Sequence, residues 1–217
     1  ISLNCYGDST AELTAIGSGG TGSYSYIWSN GDTTSLIDSL SAGTYSVLIT
    51  DINGCQASDL LTVANPDSIL FNFNLSNYNG SNISCYGYND GMIEVNITSG
   101  VDINYSSIVW TDSIGNLVPL PNILNDTILN NITSGIYNLS VLDINGCSAN
   151  SSIELYQPNP LSNNLSTDSI SCFGGNDGVA YSSPIGGTAP YQISWSNGST
   201  NDTITGLDGY TSYYVQI

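Results

Sequence analysis

The side chains able to do chemistry in this sequence are five cysteines and 18 acids, with no lysine, arginine or histidine beside them. Without histidine or lysine, the chain lacks the commonest general bases, Schiff-base amines and nitrogen ligands for metals. Without any basic side chain it cannot neutralise phosphates, which excludes binding to nucleic acid and to anionic lipid. The chemistry that remains open to this chain, with its net charge of −18, is disulfide formation, oxygen ligation of cations and modification of hydroxyl groups.

The sequence repeats itself three times. Each repeat opens on a cysteine followed by an aromatic residue and a glycine, and it later reaches a tryptophan and then a Tyr-containing strand pattern. The first two repeats close on the same phrase, Asp-Ile-Asn-Gly-Cys, at 51–55 and 143–147. Equivalent opening cysteines lie roughly 80 to 90 residues apart, which is the size of a small β-sandwich module.

The segments between turns alternate with a period of two, so that Tyr45, Val47 and Ile49 share one face of a strand. No segment shows a helical stripe bounded by caps. The pattern predicts an all-β chain of tandem immunoglobulin-like antiparallel β-sandwich modules, with the tryptophan of each buried on a central strand. The Gly-x-Tyr phrase before the last strands is similar to a tyrosine corner. An apolar stretch long enough to span a bilayer is missing, so we expect no membrane insertion.

Proline marks the predicted joints. Stretches containing Pro66 and Pro158 lie between a closing cysteine and the next opening cysteine. We therefore expect modules at 1–65, 66–157 and 158–217. The first would lack its leading strand and the third would stop before its closing phrase, as in a window cut from a longer array.

The cysteines occupy equivalent positions in successive repeats. This equivalence predicts disulfides within modules, Cys5 with Cys55 and Cys85 with Cys147, and leaves Cys172 for a partner beyond residue 217. A closed loop of about 50 residues stabilises a fold by roughly 4 kcal/mol. Such bonds indicate an oxidising, extracellular compartment. Zinc is the alternative, but two thiolates per repeat without histidine do not complete a tetrahedral site.

The order of these phrases resembles the SprB repeat. The third copy carries it most clearly, with Ile-Ser-Cys-Phe-Gly-Gly-Asn-Asp-Gly from Ile170, then Gly-Gly-Thr-Ala-Pro-Tyr and Trp-Ser-Asn-Gly; the second copy departs by an insertion around residues 111–125. The resemblance implies β-sandwich modules of very large, non-catalytic cell-surface adhesins in gliding Bacteroidota. It also implies export by type IX secretion and movement by the gliding machinery.

Eight of the aspartates precede Ser or Thr and then an aliphatic residue or threonine. This pattern is similar to the O-glycosylation acceptor of Bacteroidota, and the alternative is turn formation by Asp-Ser and Asp-Thr. The predicted acceptors are Ser9, Thr33, Ser39, Ser68, Ser113, Thr127, Ser169 and Thr203.

Calcium is the other use open to carboxylates. Asp51 and Asp143 in the closing phrases, with Asp90 and Asp177 in Asn-Asp-Gly, offer oxygen ligands at turns. A dedicated calcium loop would carry oxygens at alternate positions and end in a bidentate acid, and no such loop is present. The sequence therefore favours tight turns over Ca²⁺ sites, and we assign no catalytic residue, metal or other cofactor.

These features predict a structural or adhesive segment of a secreted filament or gliding adhesin. Its partners would be neighbouring repeats of the same array and a surface polysaccharide or substratum. Two alternatives stay open: a carbohydrate-binding or spacer module of a secreted polysaccharide-degrading enzyme, and a subunit of a self-assembling fibre. The recurrent tryptophans favour packing over a sugar platform, and Glu12 and Glu94 favour a solvated face over the paired acids of a glycosidase.

Overall fold

The computed structural model describes residues 1–102, 107–119 and 127–217. Within these ranges the regular structure is β-sheet without an α-helix, which confirms the predicted all-β class. The strands are β1 (Ala11–Thr14), β2 (Ser25–Trp28), β3 (Leu36–Leu40), β4 (Gly43–Thr50), β5 (Gln56–Val63), β6 (Leu70–Leu75), β7 (Gly91–Ser99), β8 (Val109–Asp112), β9 (Ile128–Ile132), β10 (Gly135–Leu142), β11 (Ser148–Leu155), β12 (Ser162–Asp168), β13 (Gly178–Ile185), β14 (Ser194–Trp195), β15 (Thr203–Leu207) and β16 (Val215–Gln216).

The strands form three sandwiches of two antiparallel sheets each. The first sandwich places β1-β3 against β2-β4-β5, and the second places β6-β7-β9 against β8-β10-β11. The third places β12-β13-β15 against β14-β16. The chain changes sheet between β1, β2, β3 and β4 and between their equivalents, as in the Greek-key order of immunoglobulin-like domains, whereas β4 and β5 pair in one sheet.

Each sandwich has its own core, centred on the predicted tryptophan. Trp28, Trp110 and Trp195 are 3%, 1% and 5% exposed, on β2, β8 and β14. Every core takes residues from both sheets, because alternate residues of a strand point to one face. In β1, for example, Ala11 and Leu13 are buried between exposed neighbours. The recurrent tryptophans therefore pack the interior of each sandwich.

The tyrosine corner predicted from Gly-x-Tyr is present in the first two sandwiches. The Tyr45 hydroxyl donates to the Ser41 carbonyl at 2.9 Å, and Tyr137 donates to the Thr133 carbonyl at 2.8 Å. At the equivalent place in the third sandwich, the Tyr213 hydroxyl lies 3.4 Å from Oδ2 of Asp208. Each bond fixes the loop that crosses from one sheet to the other.

The strand that precedes the tyrosine-corner loop in each sandwich, β3, β9 or β15, carries a bulge at one position. The pairing register shifts between β1 and β3, between β7 and β9, and between β13 and β15. The bulged residue has positive φ in each sandwich: Ser39 at 54°, Asn131 at 56° and Gly206 at 73°. Only glycine adopts this conformation without a steric penalty.

The short segments that precede β1 and β7 each dock on the end of the last strand of their own sandwich. The Leu3 N–H donates to the Ala64 carbonyl, just after β5, at 3.0 Å. In the second sandwich the Ile83 N–H donates to the Tyr156 carbonyl, just after β11, at 3.1 Å. The opening cysteines, two residues further on, therefore lie at the end of the sandwich where β5 or β11 finishes.

Candidate functional site: a disulfide joint between sandwiches

The only disulfide among the described residues joins two consecutive sandwiches. Cys5 of the first bonds to Cys147 of the second, with their Cα atoms 5.5 Å apart and a sequence separation of 142. The Cys147 Sγ also lies 3.3 Å from the Asn4 carbonyl oxygen. A cleft beside the bond includes Asp67 and Ile69 of the linker that connects the two sandwiches. The joint is therefore tied twice, by the linker and by the disulfide.

Cys5 lies in the opening loop, which we define as residues 4–10 and their equivalents 84–90 and 171–177. The Asp8 N–H donates to the Cys5 carbonyl at 3.3 Å, and Gly7 between them has a φ of +81° that suits glycine. The Gly7 N–H also donates to Oδ1 of Asn65, the residue before Pro66, at 3.1 Å. The opening loop is thereby fixed to the start of the linker.

Cys147 lies in the closing turn, which we define as residues 143–147 and their equivalents 51–55. The Asp143 carboxylate, 5% exposed, accepts the N–H groups of Asn145 and Cys147 at 2.9 Å each. The Asp143 N–H donates to the Cys147 carbonyl at 3.0 Å, and Gly146 has a φ of +83°. This is a type I turn with a glycine bulge, a common short hairpin. It holds the cysteine backbone rigidly at the tip of the second sandwich.

The predicted pairings of Cys5 with Cys55 and of Cys85 with Cys147 are wrong in this structure. Cys55 precedes β5, whereas Cys5 lies where β5 ends, so the eight residues of this strand separate them by about 26 Å. The same holds for Cys147 and Cys85 across β11. A disulfide needs Cα atoms within about 7 Å. Cys55, Cys85 and Cys172 are instead exposed free thiols.

Following strand direction along the sequence would have excluded the pairings within modules. The opening cysteine precedes a strand that starts at one end of the sandwich, and the closing cysteine precedes a strand that starts at the other end. Two such residues in one module face opposite ways, and they meet only across a boundary between modules. Residue equivalence alone does not contain this information.

The carboxylates considered for calcium are engaged by backbone and hydroxyl donors. The pKa of Asp51 is lowered by the Thr21 N–H first and then by the Cys55 N–H. The pKa of Asp90 is lowered chiefly by the Ser84 hydroxyl, and that of Asp177 by the side chain of Ser171. Across the described ranges, no group of three or more acids or cysteines is placed to hold a metal ion. Turn formation therefore accounts for these aspartates.

The predicted O-glycan acceptors differ in exposure. Five hydroxyl residues are exposed and three are half-buried; the half-buried ones are Ser68, Thr127 and Thr203. Asp126, which precedes Thr127, lies outside the described residues. Asp112 supports the turn alternative, because its carboxylate accepts the N–H groups of Ile114 and Asn116 at 3.0 and 2.9 Å. The exposed acceptors are Ser9, Thr33, Ser39, Ser113 and Ser169.

Glu12 and Glu94 lie on equivalent strands of different sandwiches, β1 and β7. Glu12 is exposed, and Glu94 accepts a hydrogen bond from Nδ2 of Asn74 at 3.1 Å. Among the described residues, no helix is long and apolar enough to cross a membrane.

The fold and its joint define a tandem array of disulfide-linked β-sandwiches. The family model of the SprB repeat matches residues 2–33 and 164–200, which lie in the first and third sandwiches. These matches confirm the resemblance predicted from the opening-loop and tryptophan motifs. The matched segments run from the opening-loop region through the tryptophan hairpin in both copies.

Solved structures with similarity to this chain include tandem immunoglobulin domains. The titin domains I67–I69 are 14% identical with a TM-score of 0.33, over 97% of this chain and 88% of that one. A tetra-tandem repeat in the extending region of a large adhesion protein is 15% identical with a TM-score of 0.27, over 99% of this chain and 59% of that one. The amphioxus IgVJ-C2 molecule is 14% identical with a TM-score of 0.30, over 72% and 100%. A comparison with curated proteins gave no match.

Proposed function

We propose that this chain is a non-catalytic, structural or adhesive repeat segment of a secreted cell-surface filament or gliding adhesin. The observation that carries the proposal is the Cys5–Cys147 bond, because a covalent link between consecutive sandwiches has no use in an isolated binding domain. The matches to the SprB-repeat model support the proposal, since the resemblance to this family implies modules of large cell-surface adhesins. The modules of this array span residues 1–65, 66–157 and 158–217, in keeping with three separate cores.

The joint supports a mechanical role through its geometry. Two sandwiches joined by one linker alone would bend freely at the boundary between them, whereas two attachment points restrict that bending. Here the linker leaves the first sandwich at Asn65, and the disulfide attaches the opening loop of the same sandwich to the closing turn of the next. A chain of such joints holds a distal region away from the cell, or makes many weak contacts with a substratum whose strengths combine.

The bond also bears on location. Disulfides persist in oxidising compartments, and the described joint leaves Cys5 and Cys147 only half-buried. We therefore place the array outside the cell, with export by type IX secretion and movement by the gliding machinery as the finer part of the proposal. Immunoelectron microscopy of intact producing cells, with antibodies against the 217-residue chain, should label surface threads. Labelling that requires permeabilised cells would reject the proposal.

Glycans on the exposed face of the array form a further part of this proposal. The five exposed acceptors lie in loops or at strand edges, where a sugar meets no core residue. With no lysine to guard its sheet edges, the chain would gain protection from such glycans. Peptide mass spectrometry of the native protein should find hexose-containing masses at Ser9 or Ser169 in preference to half-buried Ser68. Unmodified masses at all eight positions would contradict it.

A further inference from the structure

We propose that the Cys5–Cys147 bond is one instance of a repeating cross-link, and that Cys85 is the site of the next. Its partner would be the closing-turn cysteine of a sandwich that follows the second one. By the same rule Cys55 takes the opening-loop cysteine of a preceding sandwich. The biological role of this cross-link rests on the proposed function, whereas the bonding pattern itself can be measured independently of that function.

The opening loops of the first two sandwiches are built alike. The Tyr88 N–H donates to the Cys85 carbonyl at 3.1 Å, as Asp8 donates to Cys5. Gly87 has a φ of +79° and its N–H donates to Oε1 of Gln157 at 2.8 Å, which repeats the Gly7–Asn65 contact before the next proline. Cys85 is thus held at the end of the second sandwich where β11 finishes, in the way that Cys5 is held where β5 finishes.

The closing turns are equally alike. The Asp51 carboxylate accepts the N–H groups of Asn53 and Cys55 at 2.9 and 2.8 Å, and Gly54 has a φ of +86°. These contacts repeat those of Asp143 with Asn145 and Cys147. The backbone of Cys55 is therefore held as that of Cys147 is, and Cys55 is a free thiol here.

The second joint brings the correct ends together. Nδ2 of Asn79, beside the opening loop of the second sandwich, donates to the Ala189 carbonyl of the third at 3.3 Å. Ala189 lies in the loop that precedes β14, and the equivalent loop of the first sandwich is bonded to the closing turn through Thr21 and Asp51 at 3.0 Å. The end of a third sandwich that carries the closing turn therefore faces the end of the second that carries Cys85.

The bond would form by thiol–disulfide exchange. Two cysteine thiols lose their protons, a disulfide oxidant such as oxidised glutathione accepts the two electrons, and one protein S–S bond and two glutathione thiols result. Because Cys85 lies between Cys5 and Cys147 in sequence, successive bonds overlap. A single backbone cleavage between residues 6 and 146 would then leave the array covalently continuous.

The test extends the chain in its own register. Trp195 pairs with Val215 as Trp110 pairs with Leu139, so residues 142–157 copied after Ile217 supply the missing turn and strand. After refolding with oxidised glutathione, non-reducing peptide mass spectrometry should show the added cysteine bonded to Cys85, with Cys5–Cys147 unchanged. Bonding of the added cysteine to Cys172, or a fully alkylated Cys85, would overturn the proposal.

Two further chains keep the result interpretable. The same extension with serine in place of the added cysteine should leave Cys85 freely alkylated and the tryptophan fluorescence unchanged. In the second, residues 1–157 are followed directly by another copy of residues 66–157. This copy carries both sheets of the second sandwich, from β6 to β11. There the copied Cys147 should bond to the first Cys85, and failure in this folded chain would also overturn the proposal.

Discussion

Stretching the chain between its termini should reveal the disulfide joint as a large block of hidden length. While Cys5 and Cys147 are bonded, the chain segment between them, which accounts for a sequence separation of 142, bears no tension and cannot extend. An extended chain spans about 3.5 Å per residue, so these residues correspond to about 500 Å. The remaining residues, about 75 of them, would extend to about 260 Å. Load therefore reaches the first two sandwiches only through their joint.

The assay is single-molecule stretching with attachment at the two termini by thiol-independent chemistry. The total contour length should rise by about 500 Å when a reductant is added. The Cys147→Ser variant serves as the control, because it should give the long contour with or without reductant. Both measurements are made on the complete 217-residue chain.

The expected gain separates the two pairings. Bonds within sandwiches, Cys5 with Cys55 and Cys85 with Cys147, would hide about 110 residues, or about 390 Å. A gain near that value would refute the joint and restore the pairing predicted from sequence. Equal contour lengths before and after reduction would show that no bond carries load.

Three further predictions concern single side chains. Asp51→Asn should lower the urea midpoint at pH 7, and this difference should vanish as the pH falls below about 4, because the lowered pKa of Asp51 means that only its ionised form stabilises the fold. Tyr137→Phe should cost about 1 kcal/mol in urea unfolding, since it loses the 2.8 Å bond of the tyrosine corner. Ser39→Gly should raise stability by about 1 kcal/mol and Gly206→Ala should lower it, because both positions have positive φ.

The Asp51 and Tyr137 variants have matched controls. Asp59→Asn, on the exposed face of β5, should leave the urea midpoint at pH 7 nearly unchanged, and Tyr88→Phe should be nearly neutral because Tyr88 is 58% exposed. A constant difference for Asp51→Asn between pH 7 and pH 2.5 would contradict its role as an ionised turn cap. A destabilising Ser39→Gly would show that the bulge depends on the serine hydroxyl rather than on φ.

Local sequence signals predicted the local structure well. The period-two alternation predicted the strands, the closing phrase Asp-Ile-Asn-Gly-Cys predicted the turns, and the recurrent tryptophans form the cores. Gly-x-Tyr gave the corner at Tyr45 and Tyr137. Each signal acts within a few residues, through φ preferences or the alternation of side chains across a strand.

The bulge and the engaged carboxylates were only partly visible from sequence. Ser39, Asn131 and Gly206 share a backbone conformation but not a residue type, so no single pattern marks the bulge. The donors to Asp51 include Thr21, thirty residues away, which only the packing of two loops brings near. Such contacts depend on the path of the chain between the two residues.

The sequence by itself determined that this protein is a basic-residue-free array of β-sandwiches with equivalent cysteines in successive repeats. Only the tertiary structure decided which cysteines meet. A disulfide depends on distance and direction in space, and the strand that follows each closing cysteine carries it a whole sandwich length away from the opening cysteine of its own repeat. Cys5 therefore finds Cys147 across the joint, and the bond that seemed to hold each module together holds two modules to one another.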